Sequence, residues 1–194
     1  MDLFNEGIKE PLEQLYYELS NFIMSYDPDL TTEKRRCMSS PYNDARFCTG
    51  KPIKEYFYIR FRISQSLQNK NNILGLFFDA SKSRYKYGIN IYNLNTHGMS
   101  LIRNAILDDR NKAEKLIRRT NKIEGMQVYG TEYLKDHYLE ESDVLKTWLN
   151  KKNICFMHCA DINNIFFDRQ LYNIIVNDFI KLKEVYFFLK KALS

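Results

Sequence analysis

The chain has 194 residues, a formal net charge of +5 and 44% hydrophobic residues, which fits one globular domain, 1–194, large enough to bury a core without metal or disulfide staples. No run reaches the roughly 18 to 20 uncharged apolar residues of a membrane span, and the start lacks the basic and apolar regions of a secretory signal, so a cytoplasmic protein with no membrane partner is expected. The mild positive charge suits an anionic ligand and falls short of the concentrated basic stripe of a dedicated nucleic-acid binder, and the four cysteines are too sparse for a disulfide framework and read as free thiols.

In chain order, apolar residues at Leu12, Leu15, Leu19, Phe22 and Ile23 recur at helical spacing, with Pro11 where a first turn begins, which predicts a helix over roughly 9–25. Asp27-Pro28 ends it, because a residue before proline avoids the helical region. Residues 30–42 read as an irregular connection, with Glu33 to Arg36 as a solvated charged run.

The segment 43–63 organises the rest. A Gly50-Lys51-Pro52 turn leads into strict alternation, with Phe57, Ile59, Phe61 and Ile63 on one face and Tyr56, Tyr58, Arg60 and Arg62 on the other, the period of a half-buried strand. A compact apolar run over 73–79 and a second alternation over 84–92 predict two further strands, paired antiparallel through short polar turns. In the last of these Tyr85, Tyr87, Ile89 and Ile91 oppose Arg84, Lys86, Gly88, Asn90 and Tyr92, so that Arg60, Arg62, Arg84 and Lys86 are expected on one side of one sheet. A solvated outer face is the plain alternative.

Beyond the sheet, Asn95 or Thr96 caps a helix whose inward stripe is Met99, Ile102, Ala105 and Ile106, and a second helix follows over 111–120. Short strands are predicted at 124–129 and 154–159 and a short helix at 143–150. A long C-terminal helix is expected over 168–192, capped by Asp168. Strands in the middle and helices at both ends give an α+β fold, a central antiparallel sheet flanked by N-terminal and long C-terminal helices.

The chain carries no Gly-rich phosphate loop, dinucleotide fingerprint, nucleophile elbow or His-Glu-x-x-His, and no cofactor is implied. Cys155 to Cys159 holds two thiols and His158, but His158 points away from the face shared by the cysteines, so no metal is expected. What remains is Asp44, Arg46 and Lys51 at the turn, followed by Arg60, Arg62 and Lys86 on the sheet. Guanidinium and ammonium groups bind carboxylate and phosphate well, and Asp44 either orients Arg46 or braces the loop with it.

Asp44-Ala45-Arg46-Phe47 followed by Lys51, then Met99 to Ile106 with Arg103, Tyr133-Leu134-Lys135, Trp148 to Lys151, and Asp178 to Lys183 resemble the bacterial family called domain of unknown function 2461, whose signature is Arg-Asp-x-Arg-Phe and a following Lys. Ser40 and Asn43 stand where the family pattern has arginines, Gly50 stands where Asp or Asn usually precedes the Lys, and Tyr56 is out of register with the motif tyrosine. The family carries no established activity, so the resemblance implies a fold and a motif and no reaction. The reading reached is a basic pocket beside Asp44 to Lys51 that holds a small phosphate- or carboxylate-bearing ligand. Two others stay open: a non-catalytic module docking an acidic protein or nucleic acid, and an enzyme of unnamed reaction using His97 or Asp79.

Overall fold

The computed structural model describes residues 10–40, 42, 54–64 and 71–194, without the side chain of Phe167. Among these residues the chain runs α1 (Glu10–Tyr26), α2 (Lys34–Cys37), β1 (Tyr56–Arg62), β2 (Ile73–Ser81), β3 (Arg84–Tyr92), α3 (Thr96–Asp108), α4 (Arg110–Thr120), β4 (Met126–Tyr129), α5 (Asp143–Leu149), β5 (Cys155–Asp161), a 3-10 turn (Asn164–Phe167), α6 (Gln170–Lys181) and α7 (Lys183–Leu193). The strands form one antiparallel sheet in the order β1-β2-β3-β5-β4.

Alternation sorts the sheet into two faces as expected. Phe57, Ile59, Phe61, Leu74, Leu76, Phe78, Tyr85, Tyr87, Ile89 and Phe156 are buried against the helices. Tyr16 of α1 stacks on Phe61 at 6.2 Å, Phe179 of α6 meets Tyr87 edge-on at 6.2 Å, and Trp148 of α5 meets Phe156 edge-on at 4.9 Å. Such aromatic pairs add to the area they bury. The N-cap of α3 is Asn95, whose side chain accepts from the Gly98 N–H at 2.8 Å, satisfying a donor that the first helical turn leaves open.

Two elements and one buried side chain differ from expectation. The irregular connection after α1 contains the single turn α2, with Arg36 paired to Glu33 at 2.8 Å. The C-terminal helix is two consecutive segments meeting at Leu182, whose N–H bonds to the carbonyls of both Asp178 and Ile180. That shared bond keeps Leu171, Ile175, Phe179, Val185, Tyr186 and Leu189 on the core side through the join. Arg103, unassigned in the predicted stripe of α3, is buried within it.

The outer edge of β1 is dressed by the chain that follows α1. Thr31 N–H donates to the Arg62 carbonyl at 2.9 Å, Ser64 N–H to Asp29 at 3.2 Å, Ser39 N–H to the Tyr58 carbonyl at 3.0 Å, and Tyr58 N–H to Ser39 Oγ at 3.1 Å.

Candidate functional site

The face of the sheet opposite the helices carries the cations. Register places Tyr58, Asp79, Lys86 and Cys159 abreast across β1, β2, β3 and β5, and Arg62, Gly75, Asn90 and Cys155 abreast in a second row. Arg60 lies between the rows on β1. Two strands, β1 and β3, therefore bring Arg60, Arg62 and Lys86 to one surface although the sequence separates them by up to 26 positions.

Asp79 sits at the centre of this surface, 5% exposed. The Tyr56 hydroxyl donates to its Oδ2, Arg60 Nε stands 3.5 Å from Oδ1, and Lys86 Nζ stands 3.9 Å from Oδ2. Aromatic rings steady the guanidiniums: Arg60 lies 4.1 Å from the Tyr58 ring centre and 5.7 Å from that of Tyr92, and Arg62 lies 5.5 Å from the Tyr92 ring. These are cation–π distances, favourable when the cation is partly desolvated. Two cations, Arg60 and Lys86, thus stand at Asp79, and Arg62 on the same face has no carboxylate partner among the described residues.

Burial shapes the acidities here. Burial and the Asp79 carboxylate together push the Tyr56 hydroxyl up to about 12, which keeps it protonated and donating. Burial raises Tyr92 too, against the pull of Arg60. Burial likewise pushes the Cys155 thiol up to about 12, with Lys86 drawing it down and Asp79 raising it, so the thiol is protonated and inert at neutral pH. Two buried polar atoms of the cluster, Arg60 Nε and Asp79 Oδ1, have no hydrogen-bond partner among the described residues and meet only as an ion pair 3.5 Å apart. Buried polar groups are seldom left so.

Of the residues expected at a site, Arg60, Arg62 and Lys86 share one face of the sheet, Arg60 and Lys86 at Asp79 and Arg62 over the Tyr92 ring; Asp44, Arg46 and Lys51 lie outside the described residues. Asp79, expected only as an enzyme's acid or base, is instead the hub of the cations. Arg84 is on the same face but turns to Asp161 at 3.0 Å. His97 is exposed in the first turn of α3. Among the described residues no three His, Cys, Asp or Glu side chains gather as metal ligands would.

Two polar knots escaped the sequence reading. On the helix side of the sheet, buried Asp178 of α6 accepts from the Tyr87 hydroxyl at 2.7 Å and from Lys181 Nζ at 2.9 Å, with His158 Nδ1 at 4.0 Å and the His158 ring stacked on Tyr87 at 4.9 Å. Arg103 reaches from α3 to the end of α5, donating to the Leu149 carbonyl at 3.0 Å and the Lys151 carbonyl at 2.6 Å, with Tyr133 5.4 Å away under its guanidinium. Helical spacing carried a signal for both: Arg103 is four residues after Met99 and three before Ile106, and Asp178 is three after Ile175 and four before Leu182, so each polar residue interrupts an apolar stripe.

Arg103, Tyr133, Lys151 and Asp178 were among the scattered pieces of the family pattern, and the fold gathers them into these structural knots, while Trp148 packs on Phe156 in the core. The family described as a conserved hypothetical protein, DUF2461, matches residues 2–188. The chain belongs to this family. No curated protein matches it. Membership in DUF2461 brings a protein of unknown function and no reaction, so the chemistry has to be argued from the side chains. No helix among the described residues is long and apolar enough to cross a membrane.

Proposed function

We propose that this DUF2461 protein is a cytoplasmic bacterial protein that binds a small phosphate- or carboxylate-bearing ligand on the cationic face of its sheet. The observation that carries the reading is that Arg60 and Lys86 flank a single buried carboxylate, Asp79, while Arg62, on the same face, has no acidic partner among the described residues. Asp79 holds Arg60 in place, and Arg62 and Lys86 supply the charge that meets the anion. A carboxylate lying beneath its cations suits a small ligand reaching inward better than a flat macromolecular partner. Asp44, Arg46 and Lys51 precede β1 directly in sequence and are proposed to complete the pocket, Arg46 and Lys51 holding the anion and Asp44 orienting Arg46.

A thermal-shift screen of nucleotides, sugar phosphates and carboxylates tests this. A ligand at a hundredfold excess over its dissociation constant stabilises the folded state by about 2.7 kcal/mol. Arg62→Ala, Lys86→Ala and Lys51→Ala should each abolish the shift and leave the unliganded melting point nearly unchanged. Absence of any shift across the three ligand classes would end the reading. A shift kept by Lys51→Ala and Arg46→Ala would confine the site to the sheet.

A further inference from the structure

We infer that the exposed face of α4 docks on the phosphate backbone of a nucleic-acid duplex, a contact separate from the small-anion site of the sheet. Over residues 110–122 the chain carries Arg110, Lys112, Lys115, Arg118, Arg119 and Lys122 against one acid, Glu114, so that this segment alone holds an excess equal to the +5 of the whole chain. At 3.6 residues per turn, Lys112, Lys115, Arg118 and Arg119 fall within a sector of about 120° of the helix. All four are exposed, as is Lys122 in the turn just past the helix end, while Ala113, Leu116, Ile117 and Thr120 face the core. Lys112, Lys115 and Lys122 have no ion-pair partner among the described residues. Arg118 and Arg119 are held only by surface pairs, to Glu114 at 3.9 Å and Glu184 at 2.7 Å, which contribute little and exchange readily for phosphate. Arg110 turns aside to Glu141, and Asp109 is engaged as the N-cap of the helix.

The make-up of the stripe selects among polyanions. Its apolar residues are all on the buried side, so nothing is available to insert into a lipid surface. It has no exposed aromatic, leucine or methionine to anchor a protein interface, and no ring on which the bases of a single strand would stack. Repeated charge is what it offers. From Lys112 to Lys122 the stripe covers about 15 Å at about 1.5 Å per residue, and a duplex presents one phosphate about every 3.4 Å along each strand. The helix therefore meets several phosphates at once. Contacts to phosphate carry no sequence information, so the binding is blind to sequence.

Fluorescence anisotropy of the full chain with labelled DNA and RNA duplexes, in salt raised from about 50 to about 200 mM, tests this. The expected result is binding in about the micromolar range at the lower salt. On the DNA duplex, log affinity should fall against log salt with a slope of about −4, from four or five contacts at about 0.9 each. The triple variant Lys112→Ala, Lys115→Ala, Lys122→Ala should flatten that slope by about 2.7 with an unchanged melting temperature, because the three side chains are exposed and unpaired. A control of equal charge change on other exposed lysines, Lys82→Ala, Lys135→Ala, Lys191→Ala, should keep the slope. Absence of binding to either duplex overturns the inference, and so does an equal loss in the control. Tighter binding of a single strand of the same length, or equal binding of polyglutamate or anionic phospholipid vesicles, overturns it as well. None of these outcomes bears on the small-anion reading, which rests on other side chains.

Discussion

Replacing Asp27 by alanine should be among the most costly single changes outside the apolar core. Asp27 follows α1 directly and is 1% exposed. Its carboxylate accepts from the Tyr186 hydroxyl at 2.6 Å, from Lys190 Nζ at 2.7 Å to both oxygens, and from the Asp29 N–H at 3.1 Å, so that one side chain ties α1 to α7 across 163 positions of sequence. Alanine strands the buried Tyr186 hydroxyl, a penalty of about 1–3 kcal/mol. Breaking a buried ion pair costs about 3–5 kcal/mol. Lys190 keeps Asp29 at 2.7 Å and is partly solvated, which places the expected loss at the lower end, about 3 kcal/mol, or roughly 6–12 °C in melting temperature for a chain of this size. Burial pushes the Asp27 carboxyl upward, but Lys190, Tyr186 and the Asp29 N–H outweigh it and hold the group below its ordinary range. A depressed folded-state value contributes stability that is complete above the unfolded value near pH 4 and is lost as pH falls through the folded one. Urea unfolding at pH 7 and along a series down to pH 3 should show the full loss in Asp27→Ala at neutral pH and a flatter acid dependence than in the wild type. A loss under about 1 kcal/mol at pH 7, or an unchanged acid slope, would refute the reasoning.

Gly88 packs against β5 so closely that an added Cβ would fall 1.9 Å from the Phe156 carbonyl oxygen; Gly88→Ala should cost more than about 3 kcal/mol, and amide exchange should speed up first along β5. Arg103→Met leaves the Leu149 and Lys151 carbonyls without their donor and should cost about 3 kcal/mol, with Arg103→Lys a poor substitute because one ammonium does not reproduce the fork; urea denaturation of the two variants checks this. Among the described cysteines, exposed Cys159 should react with a thiol reagent in the native protein well before Cys37 and Cys155, whose thiols burial pushes up to about 11 and about 12. Equal native rates for the three would contradict the burial.

β1 and β3 were legible because their residues alternate, since a two-residue period with aromatics and β-branched side chains on one side has one sensible placement, and β2 because it is a compact apolar run between polar turns. The same alternation put Arg60, Arg62 and Lys86 on a common face. The position of β5 between β3 and β4 was not legible, since pairing between segments more than 60 residues apart leaves no local mark in either. Nor was the role of Asp79. It sits in an apolar run, and only the partners that arrive from β1 and β3 make it a hub. Arg103 and Asp178 were left without a structural role for a related reason, because a polar residue within an apolar helical stripe reads as noise until the carbonyls and hydroxyls that satisfy it are in view. The break at Leu182 has neither proline nor glycine to announce it.

The dressing of β1 bears on how this protein behaves at high concentration. A border strand with free N–H and C=O groups is a template for a second chain and a starting point for aggregation. Here residues 29–39 occupy the outward groups of Tyr58, Arg62 and Ser64, and the opposite border, β4, is only four residues long. Neither side offers a sticky length of backbone to a neighbouring copy. A variant that loosens the 29–39 stretch should therefore precipitate or form fibrils on storage before it loses its helices.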